Sequence, residues 1–91
     1  MYKLSYIFGG FEKNMKTFKI LELKRRKNST VGNPSWAIVA IDEEGNYYNG
    51  KTASNALIGY ELSWLDEGKN MQLAYHYTKS GNLIFDRIIK K

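Results

Sequence analysis

A small, mostly β barrel with one helix, in the order β-β-β-α-β-β, is what the residue pattern of this chain calls for. Three observations carry that expectation. Apolar residues recur with period two in short runs separated by turn chemistry. Aromatics make up 14% of the chain, with seven Tyr, and such rings suit a pleated, half-buried surface. Only one stretch, after the third core strand, changes to helical spacing. At 91 residues this is one domain with a modest core.

Tyr2, Leu4, Tyr6 and Phe8 alternate with Lys3, Ser5 and Ile7, which reads as a short strand. Gly9-Gly10 breaks it. Residues 1–14 are therefore taken as an extra N-terminal strand or extension, and 15–91 as the barrel domain. An added strand carries unpaired edge groups, so a homodimer through it is one expectation.

The stretch from Met15 carries the strongest pattern. Phe18 and Ile20 share one parity, whereas Leu21 and Leu23 take the other. Strict alternation would not switch there, so a bulge or bend is expected near Ile20–Glu22. A long first strand that bends midway can serve both halves of a closed wall. Lys24 to Ser35 reads as a basic and polar loop, with Asn28-Ser29-Thr30 and Gly32-Asn33-Pro34 as turn chemistry. Trp36 to Ile41 is apolar on both parities, as in a central strand. Asp42 to Asn46 is a hairpin turn, and Tyr47 to Thr52 a third, shorter strand.

Leu57, Ile58, Leu62 and Leu65 fall at helical spacing, so a helix is expected within Ala53–Leu65, capped by Thr52 or Ser54. Gly59 inside it costs about 1 kcal/mol relative to Ala. Met71, Leu73, Tyr75 and Tyr77 form the cleanest half-buried strand. Ser80-Gly81-Asn82 turns the chain into a last strand, Leu83 to Ile89.

From Met15 onward this order resembles the OB-fold, a five-stranded Greek-key barrel with its helix between strands three and four. An SH3-like barrel or an open α+β sheet fits the same order. Separately, R-R-K-N-S-T-V-G-N-P-S-W followed by K-T-A-S-N-A-L-I-G-Y-E-L resembles small uncharacterised proteins of phage and mobile-element genomes. The matching positions are Arg26, Ser29, Gly32, Asn33, Pro34, Trp36, Ala53, Ser54 and Tyr60.

Several function classes have little to work with. There is no cysteine, which excludes disulfides, thiolate zinc sites and a Cys nucleophile, and agrees with a reducing cytoplasm. No apolar run approaches a membrane span, and the N-terminus lacks a signal-peptide pattern. His76 is the only histidine and reads as a surface or barrel-wall residue, since a general base needs a nucleophile or orienting carboxylate beside it. Asp42-Glu43-Glu44 and Asp66-Glu67 read as solvated turn charges. No phosphate loop, calcium loop or dinucleotide fingerprint occurs. No metal, no cofactor and no catalysis are expected.

Charge distribution is more informative. Net charge is +5. Residues 13–27 hold seven bases against Glu22, a net of +6, while residues 28–67 hold six acids against Lys51, a net of −5. Residues 68–91 return to +4, with five bases against Asp86. A basic and an acidic side suit an anionic partner. The OB resemblance implies that the first loop, the loop after strand four and the face of strands two and three receive a ligand. Cations neutralise phosphates there and flat rings stack bases. The expected function is non-catalytic binding of single-stranded nucleic acid. The candidate contacts are Lys24, Arg25, Arg26, Lys27, Asn28, Trp36, Tyr47, Tyr48, Lys51 and Lys79. The alternative is a protein–protein module, such as a phage-type inhibitor of a host protein or nucleoprotein, with surface Tyr, Trp and Arg as anchors.

Overall fold

The computed structural model describes residues 14–91. Expectations for residues 1–13, including the extra strand and a dimer through it, lie outside the described residues. The strands are β1 (Asn14–Arg26), β2 (Ser35–Asp42), β3 (Tyr47–Thr52), β4 (Asn70–Tyr77) and β5 (Leu83–Lys90). They close into a barrel in the order β1-β2-β3-β5-β4, with β4 returning to β1. One helical turn, α1 (Ile58–Glu61), and a 3-10 turn (Trp64–Asp66) separate β3 from β4. The architecture is a small OB-like barrel. Among the described residues, no helix is long and apolar enough to cross a membrane.

β1 builds both halves of the wall. Its first part pairs with β4 from Asn14 to Lys19, and its second with β2 from Phe18 to Arg26. The register shifts between Ile20 and Glu22, as the parity switch required. Leu21 is thereby turned outward, while Phe18, Ile20 and Leu23 all face the core. The bulge leaves backbone groups that β4 no longer satisfies. The segment before β4 takes them: Ile20 N–H donates to the Lys69 carbonyl at 2.9 Å, and Gly68 N–H to the Ile20 carbonyl at 2.7 Å.

Closure between β3 and β5 is short and parallel, through Lys51↔Ile84 and Thr52↔Phe85. It needs a bare backbone at Gly50, where a Cβ would stand 2.7 Å from the Leu83 carbonyl oxygen. Phe18 centres the core. Its ring meets Tyr48, Tyr75 and Phe85 edge-on at 5.1, 5.7 and 5.5 Å. Each such pair contributes about 0.5–1.5 kcal/mol beyond area burial.

The helical segment departs from the expectation. A helix across 53–65 does not form, and neither Thr52 nor Ser54 caps α1, whose N-cap is Leu57. Packing decides this. Gly59 lies so close to Pro34 that an added Cβ would overlap the Pro34 carbonyl oxygen. Trp36 Nε1–H donates to the Gly59 carbonyl at 3.0 Å. The chain then turns extended at Leu62, and Ser63 and Asp66 form a capping box that starts the separate 3-10 turn. Thr52 Oγ1 instead accepts from Trp36 N–H.

Candidate functional site

The run Lys24 to Lys27 does not lie wholly in a loop. β1 continues to Arg26, so strand alternation splits the run. Beyond the bulge Glu22, Lys24 and Arg26 point outward. On β2 the outward residues are Ala37, Val39 and Ile41, between the buried Trp36, Ile38, Ala40 and Asp42. On β3 they are Tyr47, Asn49 and Lys51. The registers align these into rows: Lys24–Ala37–Lys51, Glu22–Val39–Asn49 and Lys19–Ile41–Tyr47. With neighbouring strands about 4.8 Å apart, Lys24 and Lys51 stand about 10 Å apart across Ala37.

Two hollows meet on this face. One, about 270 Å³, is lined by Arg26, Ala37, Asn49, Lys51 and Asn82 among others, so the turn after β4 borders it. The other, about 360 Å³, lies under the β1–β2 loop, with Lys27, Asn28, Ser29 and Thr30 on its walls. Arg26 and Lys51 line both. Among the described residues, Lys24, Arg26, Lys27 and Lys51 make no ion pair.

The other candidates fare differently. Arg25 is engaged in the fold. Its guanidinium donates to Asn28 Oδ1 at 2.7 Å, to the Ser35 carbonyl at 3.2 Å and to the Arg26 carbonyl, and it stands 5.8 Å from the Trp36 ring centre. Lys79 is exposed in the β4–β5 turn but lines neither hollow. Trp36 must be withdrawn as a base-stacking residue. It is 4% exposed, held by Gly59 and packed edge-on against Trp64 at 4.9 Å. Tyr48 is withdrawn too. Its ring packs on Phe18, and its hydroxyl donates to Asp42 Oδ2 at 2.8 Å. Tyr47, of opposite parity, is 73% exposed at the far end of the face. Asn49 and Asn82 were missed by the sequence reading. The outward parity of β3 would have found Asn49, and Asn82 belongs to the loop after strand four that the OB resemblance already brought to the site.

The turn acids are not all solvated charges. Asp42 is buried and collects hydrogen bonds from Glu44 N–H, Asn46 N–H, the Asn46 amide and the Tyr48 hydroxyl, with Lys16 at 3.6 Å. Burial alone would raise its pKa. The Asn46 and Tyr48 hydrogen bonds lead the effects that outweigh burial and hold it down at about 2. Burial, reinforced by Asp42, pushes the Tyr48 phenol up. Asp66 is also buried and paired with Lys69 at 3.8 Å and Lys91 at 3.2 Å. Glu67 accepts from Leu23 N–H at 2.8 Å. These carboxylates serve the fold. His76 Nδ1 lies 2.7 Å from Asp86 Oδ2 across β4 and β5, so an orienting carboxylate is present. Neither hollow of the cationic face reaches it.

No protein-family model, curated protein or solved structure matches this chain. The face must be interpreted from its own chemistry.

Proposed function

We propose that the outer face of β1, β2 and β3 binds single-stranded nucleic acid without catalysis. One observation carries this reading: Lys24, Arg26 and Lys51 share one face, unneutralised, around a floor as small as Ala37. Like charges gathered on β1 and β3, about 10 Å apart across β2, repel one another weakly through water. A phosphate backbone relieves that repulsion. Asn49 and Asn82 supply donors and acceptors to bases lying over the floor, and Tyr47 offers a stacking ring at the end of the track. One exposed ring suffices there, because the cations provide most of the attraction.

Fluorescence anisotropy with an oligonucleotide of about ten nucleotides tests it, within the usual site size of a single OB domain. Affinity should fall with salt, with a log–log slope losing about 0.7 for each phosphate contact removed. The variant Lys24→Ala/Arg26→Ala/Lys51→Ala should bind about 100-fold more weakly and fold normally, as expected for exposed substitutions that each remove a charged contact. Equal binding by the variant would reject the reading.

A second surface supports the protein–protein alternative. Leu57, Tyr60, Trp64 and Leu65 are 60–81% exposed within one short segment, with Glu61 among them. Retention of a host protein or nucleoprotein after nuclease treatment, lost on Trp64→Ala, would favour that reading.

A further inference from the structure

The β1–β2 loop is stitched down at the end of the cationic face. Ser29 Oγ donates to the Ser54 carbonyl at 2.8 Å, and Asn33 Nδ2 donates to the same carbonyl at 3.1 Å. Ser29 Oγ also accepts from Asn33 N–H at 3.2 Å, which braces the loop internally. Ser54 lies two residues past the end of β3. A strand lying along the face from Tyr47 past Lys51 therefore meets this stitch instead of running on. The 360 Å³ hollow is bounded by it.

We propose that this hollow receives a terminal phosphate monoester, so that the face holds the end of a single strand. The inference rests on the nucleic-acid reading of the same face. Its chemistry separates an end from a middle. An internal phosphate is a diester with one negative charge. A terminal monoester carries about −1.5 to −2 charge near neutral pH and three free acceptor oxygens. The hollow presents Arg26, Lys27 and Lys51 together with the hydroxyl-bearing Thr30 and Ser54. Asn28 has its oxygen occupied by Arg25, which leaves its amide N–H groups as donors. Arg26 supplies a planar fork that suits a phosphate bidentately. The volume sits at the low end of the range of about 300–1,000 Å³ for ligand sites, matching a phosphate and its sugar better than a longer piece. The neighbouring hollow, with Asn49 and Asn82, is then left for the adjoining base.

The test compares three oligonucleotides of one sequence, carrying a 5′-phosphate, a 3′-phosphate or hydroxyls at both ends. One phosphorylated form should bind about tenfold more tightly than the hydroxyl form, the gain of one charged, hydrogen-bonded group. Lys27→Ala combined with Thr30→Ala should bring the phosphorylated and hydroxyl forms to equal affinity, because both residues line this hollow and not its neighbour. Equal affinities for all three, or a preference that survives the double variant, would overturn the end-binding inference alone. Absence of binding by any of the three would overturn the nucleic-acid reading on which it stands.

Discussion

Two groups of cations on this barrel behave differently. Lys16, Lys69 and Lys91 each lie within 4 Å of a carboxylate, Asp42 or Asp66, whose own side chain is 3–4% exposed. Lys24, Arg26, Lys27 and Lys51 gather where the end of β1 faces β3 across β2 and, among the described residues, pair with no acid. The first group is spent on structure: it neutralises acids that cap turns and hold chain ends. The second contributes only repulsion to the folded chain. Lys19, Lys79 and Lys90 also pair with no acid among the described residues, so the face is marked by the gathering of Lys24, Arg26 and Lys51 around Ala37 and not by the missing acid alone.

Reversing the unpaired group should have the greatest consequence. Arg26→Glu with Lys51→Glu places acids beside Lys24 and should lower oligonucleotide affinity by well over 100-fold at low salt, while stability changes by no more than about 0.5 kcal/mol. Anisotropy and thermal melts on the same protein separate the two effects.

The paired group should give the mirror result. Asp42→Asn removes the negative charge at the centre of the β2–β3 turn and replaces one of its two acceptor oxygens by a donor amide. It should lower the melting temperature clearly while leaving oligonucleotide affinity in place. Its pH dependence follows from the depressed pKa. The stabilisation is complete above the unfolded value of about 4 and is lost as pH falls through the folded value of about 2. The native protein should therefore lose stability across that acid window, and Asp42→Asn should flatten the loss. An unchanged acid limb would remove Asp42 from the structural group.

Tyr47 provides a finer distinction. Tyr47→Ala should cost about 1–3 kcal/mol of binding if the ring stacks a base. Its high exposure predicts almost no change in melting temperature. The smallest effect belongs to Lys91→Ala, which removes one partly exposed partner of Asp66 and should lower stability by less than about 1 kcal/mol without touching binding.

Much of this arrangement was legible in the residues. The parity switch at Leu21 gave the bulge, the run apolar on both parities gave β2, and the alternation and turn chemistry around them gave β3 to β5 within a residue or two. The opposite parity of Tyr47 and Tyr48 required that one face outward. Other features depended on tertiary contacts that no local pattern encodes. Leu57 and Leu65 completed a helical stripe, yet both are exposed, because Gly59 packs against Pro34 and Ser63 restarts the chain. Trp36 sits in a run apolar on both sides, so only register assigns it to the core. Lys24 and Arg26 looked like loop residues because no apolar residue follows Leu23 in β1, where their partners on β2 are Ala37 and Ser35. The buried roles of Asp42 and Asp66 were equally hidden. An acid in a turn looks the same whether its carboxylate meets water or collects backbone N–H groups.

Amide chemical-shift mapping with a single-stranded oligonucleotide tests the face itself. Shifts concentrated at Lys24, Arg26, Ala37, Asn49, Lys51 and Asn82, fading as salt rises, are the expected result. Shifts confined to Leu57–Leu65 or spread evenly over the barrel would contradict it.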